Sequence, residues 1–211
     1  MKNNTLILAG FCLFLIVAAC KGDQNVDTKD AAAEDPIGCF YSYNPGTSNF
    51  EWTAYKTSDK VPVKGGFNEI TVKSEGADDG KAVIESITFS MKTASVETND
   101  VVRNATVAKH FFETINSPTI DGRIKSLGSD NKAIISVTMN GVEVDINGEY
   151  TLENGDFKFT SSVDVSAWNA MNGITTLNKE CKDLHTGPDG TSKLWSEVAL
   201  SFSTSLKSDC D

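Results

Sequence analysis

From residue 49 to residue 206 apolar side chains recur at every second position, and a period of two is the pattern of strands that bury one face. Phe50, Trp52 and Ala54 alternate with Glu51, Thr53 and Tyr55. Val61, Val63, Phe67, Ile70 and Val72 form a second run that crosses Gly65-Gly66, a pair expected at a bend or bulge. Ile87, Phe89 and Met91 make a third, Ile120 and Ile124 a fourth, and Ile135, Val137 and Met139 a fifth. Asn140-Gly141 and Asn154-Gly155 are two-residue hairpin signals. They bracket Val142, Val144, Ile146, Tyr150 and Leu152, and the second leads into Phe157, Phe159, Val163 and Val165. The eighth run carries Leu194, Val198, Leu200, Phe202 and Leu206. Eight antiparallel strands joined mostly by short turns predict a closed up-and-down barrel in place of an open sheet with exposed edges. Eight strands enclose room for side chains or for one small ligand.

Two stretches break the alternation. Asn104 is expected to cap a helix running through Ala105, Val107, Ala108, Phe111, Phe112 and Ile115, with Pro118 stopping it. Trp168, Met171, Ile174 and Leu177, spaced by threes, predict a second short helix that ends before Gly187-Pro188. Both are expected to pack against or across a barrel mouth.

The N-terminus is of another kind. Lys2, an apolar run over 6–17 and Ala18-Ala19 have the form of a secretory signal, and the run is shorter than the roughly 20 residues that span a bilayer. Val17-Ala18-Ala19-Cys20 resembles the bacterial lipobox. The resemblance implies that Cys20 takes diacylglycerol, becomes the mature N-terminus and is acylated, for instance with palmitate. The alternative is an ordinary signal with a chance cysteine. Residues 21–36 hold one Val and no aromatic side chain, too little apolar surface to offset ordering, and are expected to be a flexible tether. The chain therefore divides into a signal peptide (1–19), a lipidated cysteine with its tether (20–37) and one barrel domain (38–211).

The net charge of −10, without a basic cluster, argues against nucleic acid and against electrostatic docking on an anionic membrane. After Cys12 leaves with the signal and Cys20 takes lipid, Cys39, Cys181 and Cys210 remain, and three cysteines cannot all pair. An exported chain sits where disulfides persist. Barrel closure sets the segment before the first strand beside the end of the last, which favours Cys39–Cys210; Cys181–Cys210 and no bridge at all are the alternatives.

No H-E-x-x-H, C-x-x-C, G-x-S-x-G or P-loop pattern occurs. His110 reads as a helix-end or mouth residue, His185 as part of a Gly/Pro loop, and Asp78-Asp79 as solvated loop charges. Neither catalysis nor a metal or cofactor is expected. The inward aromatics Phe50, Trp52, Phe67, Phe89, Phe157, Phe159 and Phe202 either line a cavity or fill the barrel completely. Arg103 either pairs with Glu97 or Asp100 or meets a ligand head group.

Ser95-Val96-Glu97-Thr98-Asn99, with Arg103, Val107 and Phe111-Phe112 following, resembles the S-V-x-T-x-x-x-x-R-D-x-x-L/V-x-x-x-F-F signature of the YceI-like family. Trp52 to Lys56 and Val63-Lys64-Gly65-Gly66-Phe67 resemble that family's first hairpin, and the likeness extends over roughly 49–206. Asn104 departs from the Asp that usually follows the Arg, 117–121 lacks the usual aromatic, and 165–193 carries a helix and loop in place of a late hairpin. The resemblance implies an eight-stranded, lipocalin-like antiparallel barrel with two short helices. Its interior would hold a long amphiphile, such as a polyisoprenoid, a quinone or an acyl lipid, contacted by the aromatics above, by Phe111 and by Arg103. The corresponding expectation is a lipid-anchored protein of the bacterial envelope, at the outer membrane, monomeric or dimeric, that carries or sequesters its ligand. The alternative is a non-catalytic interaction module with a filled barrel, recognising protein or glycan through 166–193 with Trp168 and Met171 as exposed anchors.

Overall fold

A computed structural model describes residues 38–210, and the signal, Cys20 and tether assignments lie outside the described residues. The strands are β1 (Cys39–Ser42), β2 (Asn49–Lys56), β3 (Val61–Phe67), β4 (Ile70–Lys73), β5 (Thr88–Lys92), β6 (Val96–Glu97), β7 (Thr119–Leu127), β8 (Lys132–Met139), β9 (Val142–Glu153), β10 (Asp156–Asp164), β11 (Leu194–Ser205) and β12 (Lys207–Cys210). The helices are α1 (Gly80–Glu85), α2 (Val101–Val107), which runs on as a π-helical stretch over Ala108–Glu113, α3 (Met171–Glu180) and α4 (Lys182–His185). None is long and apolar enough to cross a membrane.

Ten strands form one curled antiparallel sheet in the order β4-β5-β7-β8-β9-β10-β11-β2-β3-β6. Its ends are β4 and the short β6, and β4 is separated in the chain from β3, the neighbour of β6, only by Asn68 and Glu69. Across that break Asn68 N–H donates to the Ser95 carbonyl (2.9 Å) and Lys92 N–H to the Glu69 carbonyl (3.0 Å), so the ladder comes back upon itself. The eight expected runs map onto strands of this sheet, with Ile87, Val165 and Leu206 lying one residue beyond the strand ends. The count differs because the second run is split at Asn68-Glu69 into β3 and β4 and the two-residue β6 adds a separate edge; β1 and β12 pair apart, as a two-stranded sheet. Both Asn-Gly pairs form tight turns with positive φ at each residue (51° and 70°; 53° and 84°), the geometry that favours Asn and Gly there.

One end of the barrel is stopped by α1, a helix the sequence reading missed. Asp79 is not a free loop charge but its N-cap, accepting from Lys81 N–H at 3.0 Å. Val83 and Ile84 are fully buried and each contributes roughly 1.5–3 kcal/mol. Glu85 anchors the helix to the barrel by accepting from Leu127 N–H at 2.7 Å. The other end is roofed by the π-helical stretch and α3. Gly173 permits their contact, because a Cβ there would press on Phe111 and Ile115. Asn140, at the tip of the β8–β9 hairpin, ties in this end by donating to the Trp168 carbonyl at 3.0 Å.

The first predicted helix starts earlier than expected. Its cap is Asp100, which accepts from Arg103 N–H at 3.0 Å, while Asn104 lies inside the helix and accepts from the Thr98 N–H and hydroxyl. The second helical stretch begins as a 3-10 turn at Val165–Trp168 before α3. Cys39 and Cys210 lie opposite each other in the β1–β12 ladder and are joined by a disulfide, whereas Cys181 is a free, half-buried thiol.

Candidate functional site

Alternation sends Phe50, Trp52, Ala54 and Lys56 of β2 inward, together with Val163 of β10 and Val198, Leu200 and Phe202 of β11. These walls do not meet. They border a cavity of about 920 Å³ whose lining is overwhelmingly apolar, at the upper end of the roughly 300–1,000 Å³ of ligand sites.

The aromatic side chains leave this space open because three of them lie flat on glycines. A Cβ on Gly65, Gly122 or Gly148 would overlap the ring of Trp52, Phe89 or Phe159, so each ring covers a backbone that carries no side chain. Rings pressed against the wall in this way do not project across the lumen. A second aromatic row climbs from wall to roof: Phe50 stacks on Phe67 (6.2 Å between centroids), Phe67 meets Phe112 edge-on (5.8 Å) and Phe112 meets Phe111 edge-on (5.0 Å). Phe111, Ile174 and Leu177 close the roof over the cavity.

The structure thus brings Phe50, Trp52, Phe67, Phe89, Phe111, Phe159, Phe202 and Arg103 to the cavity. Phe157 does not border it. That ring is 2 % exposed between Tyr150 and Phe202, where it fills space nearer the β9–β10 turn, so its inward direction is right but its level along the barrel is not. Arg103 stands at the rim with its guanidinium 3.3 Å from Asp100. Trp168 is not an exposed anchor: it is 3 % exposed, donates from Nε1 to the Val137 carbonyl at 2.9 Å and lines the cavity, while Met171 is exposed.

His185 is no loop residue either. It ends α4, lines the cavity and is buried, with Nδ1 2.9 Å from Asn178 Oδ1. Burial, and then the charge of Lys56, hold its pKa below the usual imidazole range. Burial pushes the Cys181 thiol up; Glu180 adds to this and Lys56 opposes it. Neither group is poised as a charged catalyst, since a thiol nucleophile requires a lowered pKa. Among the described residues no three His, Cys, Asp or Glu side chains are grouped to hold a metal ion. Sequence reasoning missed Lys56 as a site residue, although its parity with Phe50, Trp52 and Ala54 carries the signal.

The YceI-like domain family matches residues 41–206. No curated protein matches the chain. Among solved structures the chain is similar to a polyisoprenoid binding domain from Saccharophagus degradans implicated in plant cell wall breakdown, with TM-score 0.55 and 13 % identity over 83 % of this chain and 99 % of that one. It is also similar to BcnA of Burkholderia cenocepacia (TM-score 0.47, 18 % identity, 77 % and 96 % covered) and to the Campylobacter jejuni YCEI protein (TM-score 0.47, 18 % identity, 71 % and 85 % covered). The first of these supports the fold.

Proposed function

The chain belongs to the YceI-like domain family, and we propose that it binds a hydrophobic amphiphile, a polyisoprenoid, quinone or acyl lipid, inside its barrel, as a binding module and not as an enzyme. The observation that carries this is the apolar cavity of about 920 Å³, open at its mouth, between wall aromatics held flat on glycines. Apolar area removed from water contributes roughly 25 cal/mol per Å², so a chain-like ligand needs no covalent chemistry to be held. The polyisoprenoid-binding relative from Saccharophagus degradans supports the ligand class. Native mass spectrometry and organic extraction of the purified chain test it. Recovery of a co-purifying lipid, or saturable uptake of an added one, is the expected result; a barrel that takes up none refutes it.

The site of action follows from the N-terminus. A lipobox-like Val17-Ala18-Ala19-Cys20 supports a lipid anchor at Cys20 that holds the barrel at the bacterial envelope, on the outer membrane, where it carries or sequesters its ligand. Two or more acyl chains give stable attachment at about 0.8 kcal/mol per buried CH₂. In the producing bacterium, Cys20→Ser is expected to release a soluble form or to stall as uncleaved precursor. Processed protein that still fractionates with membranes would refute the anchor.

A further inference from the structure

Three formally charged side chains border the cavity: Lys56, Asp100 and Arg103. Asp100 and Arg103 answer each other at 3.3 Å, and Asp100 is committed as well to capping α2. Lys56 has no such partner. It is the last residue of β2, opposite Leu194 and Val61, half-buried, and it makes no ion pair among the described residues. The lining residues beside it offer no counter-charge: burial pushes the Cys181 thiol pKa up, away from the thiolate, and the His185 imidazole is never anionic. Glu180, the acid beside Cys181, is exposed and lies 4.0 Å from His110. Two other lysines at this end are engaged: Lys60 pairs with Glu197 at 3.1 Å, and Lys193 sits 3.3 Å above the Trp195 ring. A ligand that brings an anion to this unpaired, half-buried ammonium gains a charge-assisted hydrogen bond with it.

We propose that Lys56 receives the acidic head, a carboxylate or a phosphate, of the amphiphile whose tail fills the barrel, an assignment that rests on the lipid-binding reading above. The tail alone would fit any apolar chain; the head selects anionic members among them. A charge-assisted bond from Nζ to a head oxygen fixes the ligand's direction, head under the insert and tail toward α1.

The test measures displacement of the neutral dye Nile red from the full chain by farnesol, farnesoic acid and farnesyl phosphate, and takes the affinity of each anion relative to farnesol. The chain is expected to prefer at least one anion by about ten- to a hundredfold. That preference should collapse toward one in Lys56→Met and persist in Lys56→Arg. Preference for the phosphate alone assigns the head to a prenyl phosphate, and for the acid alone to a carboxylate. Equal binding of all three, or a preference that survives Lys56→Met, overturns the assignment while leaving the barrel a lipid site. Failure of every ligand, farnesol included, with the chain folded by circular dichroism, overturns both.

Discussion

Replacing Cys39 and Cys210 together by Ser removes the covalent tie between the two ends of the folded chain, and the size of the effect follows from the loop it closes. The cysteines are 171 residues apart, and the loop-entropy relation gives about 5 kcal/mol at 25 °C for a closure of that length. A single domain commonly has about 5–15 kcal/mol of stability in all. The full entropic figure is an upper bound, because the reduced termini still pair through the four register positions of β1 and β12. With a urea slope of roughly 2 kcal/mol/M the midpoint should fall by up to about 2.5 M. The cavity should survive. β2 and β11 pair directly from Asn49–Ser203 to Lys56–Leu194, so the barrel wall does not depend on the bridge, which lies beyond it. Urea unfolding followed by tryptophan fluorescence, run beside Nile red uptake, measures both. A midpoint shift under about 0.3 M would refute the loop-entropy argument, and loss of dye uptake in the folded variant would refute the independence of the wall.

Two of the cavity tryptophans, Trp52 and Trp168, should respond differently. Trp52 Nε1 is buried with no partner, so Trp52→Phe deletes an unsatisfied donor, whereas Trp168→Phe orphans the Val137 carbonyl. Urea midpoints should place the first within about 1 kcal/mol of the parent and the second about 1–3 kcal/mol below it; equal losses would contradict this. Gly122→Ala sets a methyl into the Phe89 ring and the Ser136 carbonyl, and should destabilise the domain by about 1–3 kcal/mol while lowering dye uptake; an unperturbed midpoint would mean that the ring is not held there. His185, with its folded pKa lowered by burial, gives stability that is complete above its ordinary value of 6.5 and is lost as pH falls from there through the folded value. Urea midpoints should therefore drop below about pH 6.5 in the parent more steeply than in His185→Gln, and parallel curves would exclude His185 as the source. The lowered carboxylates, Asp145 and Asp164 among them, act in the same direction only below the ordinary carboxylate range.

Periodicity sufficed for the strands because an inward apolar face and an outward polar one are local properties of a chain with a two-residue repeat. It placed Phe50, Trp52, Phe89, Phe159 and Phe202 on the inward face, and each borders the cavity. Phe157 shares their parity and yet lies outside it, since parity gives direction and not depth. The helix start at Asp100 in place of Asn104 has a similar origin: both side chains can cap, and only the tertiary position of Thr98 engages Asn104 elsewhere. Trp168 had the helical spacing of a surface anchor, but the hairpin tip at Asn140 and the Val137 carbonyl draw it inward.

The sequence by itself determined the antiparallel barrel, its hairpins and its apolar interior, because alternation, Asn-Gly turns and charge pattern are encoded residue by residue. Whether that interior is hollow was decided only in three dimensions. The same aromatics could have filled it, and they leave it open because Gly65, Gly122 and Gly148 come to lie beneath Trp52, Phe89 and Phe159 from neighbouring strands. The isolation of Lys56 was settled in the same way, by an insert that folds so that Cys181 and His185, and none of its acids, line the cavity.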